Sequence, residues 1–213
     1  SLPPASMTQP TETMEHPAPV KRRQILAGAR KAFCELGYER ASVELVAARA
    51  RVAKATVYSH FHDKKALFVA CFSEHADEMR AGLRAAFAEP TGELGAALQQ
   101  AGEELLAVLL SPAIIALYRH AAAEAVRFPE VGQAVFERGP AVVYDLVAAY
   151  LRRWHDQGAL RVEDPRAAAV QFVALCQGDL ALRIHLGLPR PDEAEVRDAV
   201  KRAVRTFLRA YAA

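Results

Sequence analysis

Residues Ser42 to Leu67 read SVELVAARARVAKATVYSHFHDKKAL, and the spacing within this stretch decides the fold. Val43, Val46, Ala47 and Ala50 fall on one helical face, and Ser42 stands where a capping hydroxyl belongs. Val52, Val57 and Phe61 supply the apolar side of a second helix that begins near Ala53. Between the two there is room only for a sharp turn. A helix this short is unstable alone, so it must lie on its neighbours and leave Lys54, Thr56, Tyr58, Ser59 and His60 largely unburied. The pattern is that of a helix-turn-helix, whose second helix reads DNA.

Charge is distributed to match. The chain carries 27 Lys and Arg against 25 Asp and Glu, a formal +2, but residues 21–65 hold eleven of the basic and four of the acidic residues, a local +7, and the remainder sums to −5. A basic unit joined to a mildly acidic one is the footprint expected when one part docks on phosphates and the other does something else.

From Leu26 to Phe68 the sequence LAGARKAFCELGYERASVELVAARARVAKATVYSHFHDKKALF resembles the N-terminal DNA-binding domain of TetR-family transcriptional regulators. The matching residues are Leu26, Ala29, Ala32 and Phe33 on a first helix, the Gly37-Tyr38 helix end, Ser42-Val43 opening the second helix, and Thr56-Val57-Tyr58 with His60-Phe61 in the third. Lys64 and Leu67 match the start of a fourth. The resemblance implies that Thr56, Tyr58, His60 and Lys64 meet DNA mostly at phosphates, while Lys54, Ala55 and Ser59 face base edges; with Ser42 they form the candidate DNA-binding set. Three positions depart from the family pattern. Gly28 stands where alanine is commoner. Arg51 occupies a turn position usually held by glycine, where positive φ strains any other residue. Ala53 replaces the Ser or Thr that caps the third helix, at a typical cost of about 1 kcal/mol.

Composition bounds the rest. A 213-residue chain with 52% hydrophobic content buries a substantial core as one domain or two. No run approaches the ~20 apolar residues of a membrane span, so a soluble protein is expected. Cys34, Cys71 and Cys176 are isolated and odd in number, which argues against a disulfide framework or zinc site and fits a reducing cytoplasm. Residues 1–20 contain five prolines, little that could form a core and no cleavable apolar region, so they are expected to be a disordered arm and not a signal peptide.

Beyond Phe68 the pattern is helical throughout. Helices are expected at about Lys64 to Ala88, Glu93 to Leu110, Pro112 to Phe128, Pro129 to Gly158 with a kink or interruption at Gly139-Pro140, Pro165 to Leu186 and Glu193 to Ala212, giving an all-α chain of nine helices. The expected domains are a helix-turn-helix unit over 21–65 and a helical effector-binding and dimerisation unit over 66–213. AEAVRFPEVGQAVFERGP (Ala123 to Pro140) and YLRRWHDQGALRVEDPRAAAVQFVALCQG (Tyr150 to Gly178) resemble the AefR-related branch of the same family. That likeness implies a homodimer built on the last two helices, with Phe172, Leu175, Leu182, Val200, Val204, Phe207 and Tyr211 at the interface, and a palindromic operator.

A regulator also needs a signal. Tyr118, Tyr144, Trp154 and Phe172 are candidate walls of a mainly apolar cavity enclosed by the fourth to eighth helices, for an apolar or amphipathic effector. His120 and Glu124 are four apart, but a third ligand at suitable spacing is missing, so they read as an exposed helix pair and no metal is expected. No phosphate loop, nucleophile elbow or paired-carboxylate constellation points to catalysis. The expected function is a cytoplasmic repressor of double-stranded DNA without a cofactor; the alternatives are a ligand-independent activator or architectural protein, and a helical enzyme.

Overall fold

The computed structural model describes residues 17–213, apart from the side chains of residues 17–19 and 72–80. The described residues form eleven helices: α1 (Pro17–Arg40), α2 (Val43–Ala50), α3 (Lys54–His60), α4 (Lys64–Ala86), α5 (Leu94–Leu109), α6 (Pro112–Ala125), α7 (Pro129–Arg138), α8 (Pro140–Asp156), α9 (Pro165–Gln177), α10 (Leu180–His185) and α11 (Glu193–Tyr211). They contain no strand. A single antiparallel bridge between Leu160 and Ala212, with the Arg161 N–H donating to the Tyr211 carbonyl at 2.7 Å, holds the C-terminus against the loop before α9.

The chain is all-α as expected, but two of the expected helices are each divided. At Gly139 the backbone turns to φ −115°, ψ −93°, and Pro140 has no N–H to continue the ladder and restricts the residue before it; of the kink or interruption expected there the chain takes the interruption, giving two helices, α7 and α8. The second break falls at Gly178, whose φ of 48° and ψ of −127° suit only glycine. Its N–H donates to the Ala174 carbonyl at 3.0 Å, closing α9 before α10 begins. The arm expected over 1–20 lies outside the described residues up to residue 16, and its last four residues begin α1, where Pro17 takes the first-turn position that tolerates proline.

Two buried cores organise these helices. One gathers Ile25, Leu26, Ala29 and Phe33 of α1, Val43, Val46 and Ala47 of α2, Val57 of α3 and Phe61 after it, then continues through Leu67, Phe68 and Cys71 of α4 to Leu117 and Ala121 of α6 and Val131 and Val135 of α7. The aromatic rings of Phe33, Phe68, Tyr38 and Phe128 knit it together, with centroids 5.1–6.0 Å apart. Gly28 explains its own departure: a Cβ there would lie 3.1 Å from the Ala50 nitrogen, so glycine lets α1 approach the end of α2 closely.

The other core is built from α5, α8, α9 and α11 with the end of α4. Along α11 the apolar residues recur at helical spacing, and Val200, Ala203, Val204 and Phe207 are buried. They pack inward. Phe207 meets Phe172 of α9 edge to face at 5.2 Å, and Val200 sits over Gly102 of α5, where a Cβ would come within 2.6 Å of the Val200 Cγ1. This corrects the interface expected from the same stripe: Phe172, Val200, Val204 and Phe207 have almost no exposed surface within their own subunit and are not available to a partner. Tyr211 is half-buried, stacking on Phe207 at 4.6 Å and donating to Gln171. Leu175 and Leu182 differ. They are exposed, as are Val170, Leu186 and Leu188 around them, so α9 and α10 carry an uncovered apolar face.

Candidate nucleic-acid interface

The turn that aims α3 is set by one strained residue. Ser42 caps α2, its Oγ accepting from the Leu45 N–H at 3.1 Å, and α2 ends at Arg51, whose φ of 54° and ψ of 44° make it the one non-glycine residue at positive φ among the described residues. The left-handed residue lets the Arg51 N–H reach the Ala48 carbonyl and the Val52 N–H reach the Ala47 carbonyl at 3.2 and 3.0 Å, which satisfies the end of α2. Ala53 then starts α3 with no side-chain cap. Both features follow the departures read in the sequence.

α3 is held by what it buries. Val57 is on its inner side and Phe61 follows it, 1% and 4% exposed, with the Arg22 guanidinium 4.6 Å over the Phe61 ring. The opposite side presents Lys54, Ala55, Tyr58 and Ser59, all exposed, with Thr56 and His60 half-buried at its margins. Tyr58, at 47% exposure, is an aromatic ring that the fold leaves in solvent.

Two of the candidate lysines already have partners. The Lys54 Nζ donates to the Glu44 carboxylate across the turn and lies 5.8 Å from the Tyr58 ring centre. That hydrogen bond raises the Lys54 pKa and lowers that of Glu44, so both stay charged near neutral pH. Lys64 donates to the Glu39 carbonyl at 3.0 Å and sits 4.7 Å over the Tyr38 ring; burial pulls its pKa below the ordinary lysine value. It therefore ties the start of α4 to the end of α1 as well as facing the surface.

The sequence reading missed how the head is fastened to the rest. At Gly37 the backbone leaves the helical region at φ 76°, ψ 173°, which frees the Tyr38 N–H to donate to Glu124 Oε1 of α6 at 2.8 Å. A Cβ on Gly37 would lie 2.7 Å from that oxygen. Beside it the Arg127 guanidinium grips Glu39 with two hydrogen bonds of 2.6 and 2.9 Å, and Arg30 of α1 donates two to the Cys71 carbonyl of α4 at 2.9 and 2.7 Å. Burial pushes the Tyr38 hydroxyl up to about 12. His120 and Glu124 are consequently not an exposed pair. Glu124 serves Tyr38, and His120 faces Cys34 at 3.7 Å, with burial lowering its pKa. No group of three or more metal-ligating side chains exists among the described residues.

The four residues expected to wall one cavity are dispersed. Tyr118 borders a small space of about 40 Å³ with Leu83, Val142 and Leu146. Tyr144 lies under the Arg166 guanidinium at 5.1 Å, Trp154 packs edge-on against Tyr150 at 6.2 Å and Phe172 is locked against Phe207. A larger cleft of about 560 Å³ opens elsewhere, between the α5–α6 corner and the loop leading into α11.

The models of two families match this arrangement: that of the bacterial regulatory proteins of the tetR family over residues 25–71 and that of the AefR-like transcriptional repressor C-terminal domain over residues 96–213. The chain belongs to the TetR family. Members of that family are DNA-binding transcriptional regulators that act as dimers with ligand effectors. It is 41% identical over 61 residues to the transcriptional repressor Rv1474c of Mycobacterium tuberculosis and 35% identical over 75 residues to the transcriptional activator FasR of Mycolicibacterium smegmatis. These matches cover 29% and 35% of this chain, and about a third of each relative's length (33% and 34%). The transcriptional repressor AcnR of Corynebacterium glutamicum aligns more fully, at 27% identity over 186 residues, 86% of this chain and 92% of AcnR. Among solved structures a TetR-family regulator from Mesorhizobium loti superposes with a TM-score of 0.79 at 27% identity, covering 93% of this chain and all of that one. The flavonoid-responsive regulator FrrA superposes at 0.76 with 28% identity, covering 91% and 98%. No single helix among the described residues is long and apolar enough to cross a membrane.

Proposed function

We infer that the protein is a cytoplasmic repressor that binds a palindromic operator as a homodimer and leaves it when an apolar or amphipathic effector binds. The observation that carries this reading is the outer side of α3, where an exposed tyrosine is flanked by Lys54 and Ser59 on a head of local charge +7. In this reading Thr56, Tyr58, His60 and Lys64 hold phosphates with Ser42, and Lys54, Ala55 and Ser59 face base edges. The uncovered apolar face formed by Leu175 and Leu182 takes the place of the buried stripe as the seam between subunits, and residues 66–213 form the effector-binding unit. Release follows from linkage: an effector that prefers a dimer with its heads at the wrong separation shifts the population away from the DNA-competent state.

Selection of bound fragments from genomic DNA, followed by titration of the selected site, tests the reading. Tyr58→Phe should weaken specific and random DNA by similar factors of about 3 to 10, the effect of one lost phosphate hydrogen bond, with no change in melting temperature. Failure to select any site, or unaltered binding by the variant, contradicts it. The likeness to the activator FasR favours a second reading, in which the same head recruits transcription; a reporter placed behind the selected site separates the two by the sign of its response to the protein.

A further inference from the structure

The cleft of about 560 Å³ lies apart from the four aromatic residues expected to wall the effector site, and its lining says what it takes. Its floor is apolar, made by Leu106 of α5 and Leu110 just after that helix, Ile184 of α10 and Val196 of α11. Its size falls within the range of small-molecule sites. Five charged side chains stand around that floor, and their commitments are unequal. Glu103 accepts from the Gln99 side chain, Asp192 caps α11 by accepting from the Glu195 N–H at 2.8 Å, and Glu193 lies in the first turn of α11, where the positive end of the helix favours it. The two arginines keep donors in reserve. Arg190 uses two of its five N–H groups on a single acceptor, the Leu110 carbonyl, at 2.8 Å each, and the Arg197 guanidinium has no hydrogen-bond or ion-pair partner among the described residues.

We propose that this cleft binds an amphipathic anion, an apolar body with one acidic group, the body lying on Leu106, Leu110, Ile184 and Val196 and the acid engaging Arg197 and the unused donors of Arg190. Guanidinium groups suit this task because their planar fork meets a carboxylate or sulfonate with paired, charge-assisted hydrogen bonds. The position gives such a ligand a route to the DNA-binding head. Ser111 and Pro112, at the start of α6, line the cleft, and Glu124, near the other end of that 14-residue helix, holds the Tyr38 N–H. A ligand here acts at one end of an element whose other end grips the head. This consequence rests on the reading of the chain as an effector-released repressor; the binding site itself does not.

Two fluorescent probes of nearly one shape separate the claims: anilinonaphthalene sulfonate, which has the acid, and phenylnaphthylamine, which lacks it. Titrated into the full chain without DNA, the sulfonate should saturate at one site per chain. Arg197→Gln should weaken it about tenfold, the loss of one charged hydrogen bond, and leave phenylnaphthylamine within about twofold. Ala107→Trp, a change at an exposed position on the cleft wall, should remove both probes while the melting temperature holds. Equal loss of the two probes in Arg197→Gln would show an apolar cleft without preference for an anion, and undiminished sulfonate binding in Ala107→Trp would show that the probe sits elsewhere; either overturns the proposal. Operator binding measured without probe stands separately, since its absence would remove the repressor reading and leave the cleft as it is.

Discussion

The recognition helix α3 and the core around α11 treat their aromatic side chains in opposite ways. In the head, Tyr58 stands 47% exposed on a helix of seven residues; in the C-terminal half Tyr150, Trp154, Phe172 and Phe207 are all buried. The difference is one of what each helix can cover. A helix as short as α3 is fixed by Val57 and the Phe61 that follows it, and no neighbour remains to cover its other side. The 19-residue α11 is flanked by α5 and α9, which close over its apolar stripe from both directions. An apolar stripe at helical spacing therefore says that a face is covered, without saying by which partner.

The sharpest way to break that contrast is to charge both candidate seams. Phe207→Glu should cost more than about 4 kcal/mol and leave little folded protein, because a carboxylate would be buried without a partner; the milder Phe207→Ala should cost about 3 to 5 kcal/mol. Leu182→Glu, on the exposed face, should melt like the parent and sediment as a monomer. A stable Phe207→Glu that is monomeric would return the seam to α11, and a dimeric Leu182→Glu would move it off α10. Thermal melts and sedimentation on the same samples give both answers.

Gly102 tests the tightness of the same core. Adding one methyl group places a carbon 2.6 Å from Val200 and 3.3 Å from the Cys176 sulfur, so Gly102→Ala should destabilise by about 1 to 3 kcal/mol through overpacking, against the fraction of a kcal/mol that alanine would gain in an open helix. A rise in denaturation midpoint would mean that α5 and α11 part easily. At Gly28 the nearest contact is longer, 3.1 Å against 2.6 Å, and the same substitution should cost less.

How much of this was legible in the sequence depends on whether local spacing was sufficient. The head was legible because its parts are close in the chain: Ser42 caps three residues ahead, the glycine-like turn shows itself in Arg51, and Val57 with Phe61 sets which side of α3 faces in. The breaks at Gly139 and Gly178 were only partly so. Gly139-Pro140 announced a disturbance, whereas Gly178 sits in an apolar run where a lone glycine is compatible with an uninterrupted helix. The burial of Phe172, Val200, Val204 and Phe207 and the dispersal of the four expected cavity residues were not legible, for a further reason. Whether Phe207 meets its own α9 or another subunit, and whether Glu124 faces solvent or the Tyr38 N–H 86 positions away, depends on how distant helices close, which periodicity does not encode.

Within the head the contrast can be sharpened at its strained turn. Arg51→Gly should stabilise by about 1 kcal/mol, since glycine occupies the left-handed region without the steric penalty of a side chain. The gain is offset in part by the wider freedom of glycine in the unfolded chain. Lower stability in the variant would mean that the arginine side chain has favourable contacts outweighing the strain. If DNA affinity falls while stability rises, Arg51 is a phosphate contact that the fold tolerates at a structural cost.

The smallest expected effect concerns the one ion pair on the reading side of α3. Glu44 holds Lys54 across the turn, and both groups are exposed, so the pair contributes little to stability. On DNA, however, the carboxylate must either release the lysine or stand near phosphates with it. Glu44→Gln removes that charge and should strengthen operator binding by roughly two- to fivefold at low salt, with the gain shrinking as ionic strength rises and the screening length falls. Because Lys54 holds the Glu44 carboxyl below its ordinary range, the difference between the two proteins should persist from neutral into mildly acidic solution. Weaker binding by Glu44→Gln would reverse the interpretation: the carboxylate would then be orienting Lys54 toward a base, and the loss should be greatest on the operator positions whose identity Lys54→Ala ceases to distinguish.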